Sequence, residues 1–363
     1  MDKKCNGDKQ KVIFRKKTSI MVLVTILIAF LAISVIIAVI FGPVKLQIKE
    51  VFRIVVYNIF KIPIGDKQTL VKGVSYEIVW GIRFPRILLG AIVGAGLSVV
   101  GVVMQAMVQN TLADPYILGI SSGASLGATF SIMIGVTKFL GGNSIGILAF
   151  VGALICSICV YTLSNIGGRC SSEKLILSGV VVSAICSAFT SFIIFIAGNE
   201  RGIRNLTFWL MGSLASASWK NIILPAAIII VGTLFFLSQF RNLNVMLMGD
   251  ETAITLGKDL NKYRRIYIII TALMTATIVC VAGTIGFVGL IIPHIVRGFV
   301  GCDHRRLIPI SALVGAIFLI WTDVFSRTVM KGMEMPIGII TSMLGAPFFM
   351  WLMIKKSYNF GGK

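Results

Sequence analysis

Hydrophobic residues gather along this chain into runs long enough to cross a bilayer, separated by short polar gaps. The first runs from Ile20 to Phe41, about the twenty residues a helix needs to cross roughly 30 Å of hydrocarbon. Similar runs follow at 86–107, 116–136, 145–166, 174–197, 221–240, 264–283, 307–328 and 337–354. A shorter, glycine-rich apolar stretch occupies 287–300. Counted as a helix, it brings the crossings to ten, with both termini on one side; a re-entrant reading gives nine. The pattern predicts an all-α polytopic membrane protein of about ten transmembrane helices.

Composition agrees. Hydrophobic residues make up 56% of the 363 residues and charged ones only 13%, against about 25% charged in a soluble domain. The net charge of +20 does not imply nucleic acid as a partner, because the basic residues form no stripe on a soluble face. They fall in the gaps, where they meet anionic headgroups or fix topology. A basic tail, 1–18, precedes the first run, which is longer than a signal-peptide core and ends in "FGPVK" without a small-residue cleavage site. It is therefore expected to be a retained helix opening a membrane domain over 19–356, with a short tail at 357–363.

The Lys/Arg bias places both termini and the loops 108–115, 167–173, 241–263 and 301–306 in the cytoplasm. One loop objects. The 42–85 segment falls outside yet carries Lys45, Lys49, Arg53, Lys61, Lys67, Lys72 and Arg83.

Four stretches carry polar chemistry. In "NTLADPYILGISSGASLGA", Asp114 caps a helix opening at Pro115. That leaves Asn110, Ser121, Ser122 and Ser125 as polar groups that suit a bundle interior or a wet path. The loop 243–260 reads as two short helical pieces broken at Gly249, with Asp250 capping the second. Its apolar Met246, Leu247, Met248, Ala253, Ile254 and Leu256 lie against the membrane surface or dock in another protein's groove; spacing alone does not choose. Gly283, Gly286, Gly289 and Pro293 preclude a plain spanning helix there. Finally, Arg83 and Arg86 flank Pro85 at an outer helix mouth, and Arg327 follows Asp323 by one turn near another outer end. Two histidines in the whole chain make a poor metal site. Cys156 and Cys159, in mid-helix, read as packing. Gly90 with Gly94, and Gly119, Gly123 and Gly127, provide flat stripes for helix contact.

The segments "IRFPR", "GVVMQAMVQNTLADPYILGISSGASLGA", "LILSG", "WLMGSL", "GDETAITLG", "GTIGFVGLIIPHIVR" and "EMPIGIITSMLGAPFFMWL" resemble, in the same order, the FecCD permeases. These are the membrane subunits of ABC importers for iron siderophores, haem and cobalamin. The likeness runs from residue 19 to the C-terminus; the tail and the 43–80 loop lack distinctive motifs. It implies a cobalamin-permease-like fold of ten helices, paired with a second permease subunit (another copy or a sister) around a channel. It also implies two cytoplasmic ATPase subunits, which use ATP and Mg, and an extracytoplasmic substrate-binding protein or lipoprotein. The family's ATPase-coupling element falls on Met248, Gly249, Asp250, Glu251, Ala253, Leu256 and Gly257, which favours docking for that loop. The outer arginines that receive glutamates of the binding protein fall on Arg83, Arg86 and Arg327. The cytoplasmic gate falls on Asn110 and Leu112 beside Ser171 and Ser172, with Gln105 and Ser122 as expected lining of the path. Thr111 and Met335 stand where the family commonly has Pro and Leu.

The implied function is transport of an iron chelate (siderophore or haem) across a bacterial cell membrane, with cobalamin the alternative. No catalysis and no bound cofactor are expected of this chain: "GDETAITLGK" has Thr252 where a phosphate-cradling loop needs its first glycine. An ion-driven secondary transporter would place carboxylates within its helices. The candidates, Asp114 and Asp323, both sit at helix ends. An intramembrane enzyme would need paired carboxylates or a histidine-rich metal set.

Overall fold

The computed structural model describes residues 3–62, 72–135, 144–166, 172–255, 257–258, 260–330 and 332–355. Among these residues every regular element is a helix and no strand occurs. Seven helices are long and apolar enough to cross a membrane: α1 (Ile20–Ile40 of a helix Lys3–Ile40), α3 (Val74–Met107), α5 (Ser144–Ser164), α6 (Ser172–Ala197), α8 (Trp219–Ser238), α11 (Leu260–Ala282) and α13 (His304–Thr328). Three shorter apolar helices complete the ten expected runs: α4 (Ile120–Ile134), α12 (Val288–Val300) and α14 (Ile337–Lys355). Four further helices were not legible as spans: α2 (Ile48–Phe60), α7 (Glu200–Leu210), α9 (Phe240–Met246) and α10 (Asp250–Thr255).

α3 is the central post. Almost every residue from Phe84 to Met107 is buried, and α13, α12, α11 and α8 pack around it. Close approach is set by glycine. Gly94 of α3 faces Gly315 of α13 so tightly that a Cβ on either would strike the other's carbonyl. Gly101 meets the Gly289 carbonyl of α12 in the same way. Gly123 against Gly152, and Gly127 against the Leu148 carbonyl, join α4 to α5. Lipid offers no hydrophobic drive between helices, so such backbone contact supplies the packing.

Near its start α3 widens into a π-turn over Glu77–Arg83, where the Phe84 N–H reaches back to the Val79 carbonyl. Pro85 follows and has no N–H to return to the preceding turn. The wider turn absorbs that missing donor.

The expected single span over 116–136 is corrected. Pro115–Leu118 forms a 3₁₀ turn, Gly119 takes φ +68, and α4 begins only at Ile120. The chain leaves α3 at Met107, and Pro115 then lies against Gly289, which also abuts the Leu97 carbonyl. Leu97 stands ten residues from the end of α3, or about 15 Å at 1.5 Å per residue. The 108–119 segment therefore folds back into the bundle and supplies the thickness that the 15-residue α4 lacks. The stretch 283–287 does the same from the opposite face, and α12, with 13 residues, completes that crossing.

Candidate functional site: a helical hairpin, two meeting breaks and an arginine cluster

The α9–α10 hairpin lies on the face where α3 and α12 end. Gly249 separates its helices at φ +95, a conformation glycine adopts without strain. The Ala253 N–H bonds to the Gly249 carbonyl, so Gly249 holds the cap position expected of Asp250, and Asp250 and Glu251 form the first turn of α10. Met246 and Ala253 are buried, whereas Met248 is 61% and Ile254 64% exposed. Gly257 (φ +69) ends the hairpin, and Leu256 lies outside the described residues.

Sequence spacing gave no sign of how this hairpin is held. The Asn244 amide of α9 donates to Asp303 Oδ1 at 3.0 Å, and its oxygen accepts the His304 N–H at 2.9 Å and faces His304 Nδ1 at 2.7 Å. Asp303 is the N-cap of α13. Burial works against the Asp303 carboxylate, but the Asn244 amide, the Arg305 N–H and the Arg306 charge hold it below its ordinary range. Lys258 Nζ closes the hairpin on Asn242 Oδ1 at 2.8 Å. These bonds tie the exposed tip to the start of a spanning helix.

The two irregular segments meet inside the bundle. The Tyr116 hydroxyl accepts the Ile285 N–H at 3.1 Å and donates to the Ile285 carbonyl at 3.2 Å. Asp114 caps the 3₁₀ turn through the Tyr116 N–H at 2.8 Å, as its sequence context predicts. Backbone outside a helix persists at this depth only with such partners.

The expected path residues separate. Asn110 is exposed and closes a turn on the Leu112 N–H at 2.9 Å, with Leu112 half-buried beside it. Ser172 donates to the Met107 carbonyl at 3.3 Å, which brings the start of α6 to the same end of α3. Ser122 is half-buried in the first turn of α4, and Ser171 lies outside the described residues. Gln105 is different: it is buried within the subunit, donating to the Leu290 carbonyl at 3.2 Å and accepting from Arg297 at 2.9 Å. It braces α3 against α12, and in this structure it lines no surface.

The arginines, expected to face outward, are likewise buried. Arg83 donates to the Val39 and Ile40 carbonyls at 3.0 Å each and to the Val44 carbonyl, and its guanidinium fills the space beside Gly42. Arg327 makes the expected ion pair with Asp323 at 3.0 Å. Arg86 pairs with the same Asp323 at 2.8 Å and with Glu334 at 2.8 Å. Only Glu334, with its side chain 44% exposed, carries this network to the surface. A buried charge needs partners inside the chain; Arg327 finds Asp323 one turn away, and Arg83 and Arg86 find theirs in distant segments.

The sequence model of the FecCD transport family matches residues 30–355. The chain is 39% identical over 330 residues to the uncharacterized ABC transporter permease protein YvrB of Bacillus subtilis, covering 90% of this chain and 92% of YvrB. It is 43% identical over 276 residues to the cobalamin import system permease protein BtuC of Halobacterium salinarum, covering 76% and 73% of the two chains. To the hemin transport system permease protein HmuU of Yersinia pestis it is 37% identical over 291 residues, covering 80% and 86%. A solved ABC transporter of the metal-chelate type, in an inward-facing conformation, superposes with a TM-score of 0.78 at 29% identity over 92% of this chain and 99% of that one.

Proposed function

This chain belongs to the FecCD transport family and is a permease subunit of an ABC importer for metal chelates, haem or cobalamin; we propose that its own cargo is an iron chelate, haem or a siderophore. The resemblance to a haem permease over four fifths of the chain and the superposition on a metal-chelate transporter support that choice. Cobalamin is the second reading, favoured by the higher identity of the cobalamin relative over a smaller share of the chain.

ATP hydrolysis, in this reading, occurs on two separate ATPase subunits that seat on the α9–α10 hairpin. The carrying observation is the hairpin itself: Met248 and Ile254 stand out at its tip, while Asn244 anchors its base to α13. An apolar tip on a rigid base suits a groove in a motor subunit. The face bearing the hairpin, with both chain termini, is assigned to the cytoplasm by the basic clusters of its loops.

A second permease subunit, another copy or a sister chain, completes the channel. α6 supports this, since it exposes Ser187 and Ser191 among apolar residues where a purely lipid-facing helix would be apolar. Asn110, Leu112 and Ser172 border its inner end and form the gate. A substrate-binding protein docks on the opposite face, where Arg86 exchanges Glu334 for a carboxylate of the partner; Arg83 and Arg327 shape that site from within. The cargo is identified by reconstituting the chain with its ATPase and binding protein and comparing ATP-dependent uptake of a ferric siderophore, haem and cobalamin. Uptake of cobalamin alone overturns the iron-chelate reading.

A further inference from the structure

The basic residues between α1 and α3 run against the charge bias of the chain and take no part in the hairpin or the two breaks. We propose that α2 is an interfacial helix and that Lys45, Lys49, Arg53 and Lys61 bind the phosphates of anionic phospholipid headgroups on the face opposite the α9–α10 hairpin.

At 3.6 residues per turn, α2 divides into three faces. Val51 and Ile54 are buried against the ends of α1, α3 and α13. Ile48, Phe52 and Ile59 share a second face and are exposed, Phe52 to 56%. Lys49 and Arg53 share the third and are exposed as well. With one face fixed to the bundle, an apolar face and a basic face on the remaining surface are the features of a helix lying at a bilayer boundary. The apolar face turns toward acyl chains and the basic face toward headgroups.

Position agrees with pattern. α2 starts eight residues after α1 ends, and the Arg83 guanidinium holds this connection by the carbonyls of Val39, Ile40 and Val44. The helix is thereby fixed at the level where the spans emerge. Exposed Ile36 and Phe41 at the end of α1 extend its apolar face toward the bilayer. The charges are available: Lys45, Lys49 and Arg53 form no ion pair among the described residues, and Lys61 lies 5.9 Å over the Tyr57 ring. Glu50 is the one carboxylate in α2. A cationic edge above an apolar one matches an anionic lipid, which presents both chemistries in that order. This inference rests on the membrane-spanning fold and not on the cargo or the ATPase.

The test uses the full chain in nanodiscs of phosphatidylcholine with and without phosphatidylglycerol. Wild type, a quadruple variant (Lys45→Gln, Lys49→Gln, Arg53→Gln, Lys61→Gln) and a charge-keeping control (Lys45→Arg, Lys49→Arg, Lys61→Arg) are released and their retained lipids counted by native mass spectrometry. The quadruple variant is expected to lose phosphatidylglycerol several-fold, with phosphatidylcholine unchanged and the control behaving as wild type. In parallel, a fluorophore on Phe52→Cys in a cysteine-free background is expected to be quenched by nitroxides placed high on the acyl chains. Equal phosphatidylglycerol retention in wild type and quadruple variant overturns the proposal, as does a water-like, unquenched fluorophore at position 52. Retained lipid together with lost binding of an acidic extracytoplasmic protein assigns the surface to that protein, and also overturns it.

Discussion

Asn244 and Asp303 are 59 residues apart in sequence and 3.0 Å apart in space. The pair joins the last turn of α9 to the cap of α13, a helix that runs from the hairpin face to the buried ion-pair cluster at its far end. Movement of the hairpin tip therefore reaches a spanning helix through hydrogen bonds rather than through a flexible loop.

Asn244→Leu keeps the branched shape and removes the side-chain bonds to Asp303 and His304. The variant is expected to remain in the membrane and assemble with its ATPase, but to transport several-fold less cargo per ATP hydrolysed. Uptake and hydrolysis measured on the same proteoliposomes give that ratio, and an unchanged ratio removes Asn244 from the coupling route.

Tyr116→Phe deletes one hydroxyl and leaves both the N–H and the carbonyl of Ile285 without that partner. Leaving a buried polar group unsatisfied costs about 1–3 kcal/mol. Lower thermal stability in detergent, with faster amide exchange at 283–287, is the expected outcome. Unchanged exchange there contradicts the account of two breaks pinned by one side chain.

Glycine placement separates close packing from open surface. Gly101→Ala forces a Cβ into the Gly289 carbonyl and is expected to lower the yield of folded protein sharply. Gly298→Ala, on the same α12 that Gly101 faces, meets nothing within 4 Å and replaces a helix-interior glycine. It is expected to be neutral or to stabilise by up to about 1 kcal/mol. Size-exclusion profiles and melting of both variants check the contrast.

Asp323 serves two arginines at once. Asp323→Leu removes the carboxylate paired with Arg327 and leaves Arg86 with Glu334 alone, and breaking a buried pair costs about 3–5 kcal/mol. The single variant is expected not to fold. Asp323→Leu with Arg327→Met removes a charge of each sign, leaves Arg86 to Glu334, and should recover part of the folded yield by fluorescence-detected chromatography.

The ten apolar runs were legible because lipid demands unbroken hydrophobicity of spanning length. So was the Gly249 break, because one glycine sits between two short helical patterns. The 108–119 fold-back was only partly signalled: Asp114 and Pro115 announced a helix start, but nothing local said that Gly119 would end that turn after four residues. α2 and α7 were too short and mixed to register as spans. The burial of Arg83 and Arg86 escapes the sequence for a different reason. Their partners, Asp323 and Glu334 for Arg86 and the α1 carbonyls for Arg83, lie between 43 and 248 residues away, and periodicity carries no information at that range.

The central claim is that the α9–α10 hairpin seats an ATPase. It is tested most directly by purifying the permease with its ATPase from wild type and from Met248→Asp combined with Gly249→Val, and measuring the ATPase retained and its hydrolysis rate. The aspartate puts a charge at the exposed apolar tip, and valine is strained at φ +95 although no neighbour crowds it. The account predicts a folded, membrane-inserted permease that retains little ATPase and fails to stimulate it. Full retention and full stimulation by the double variant would contradict it.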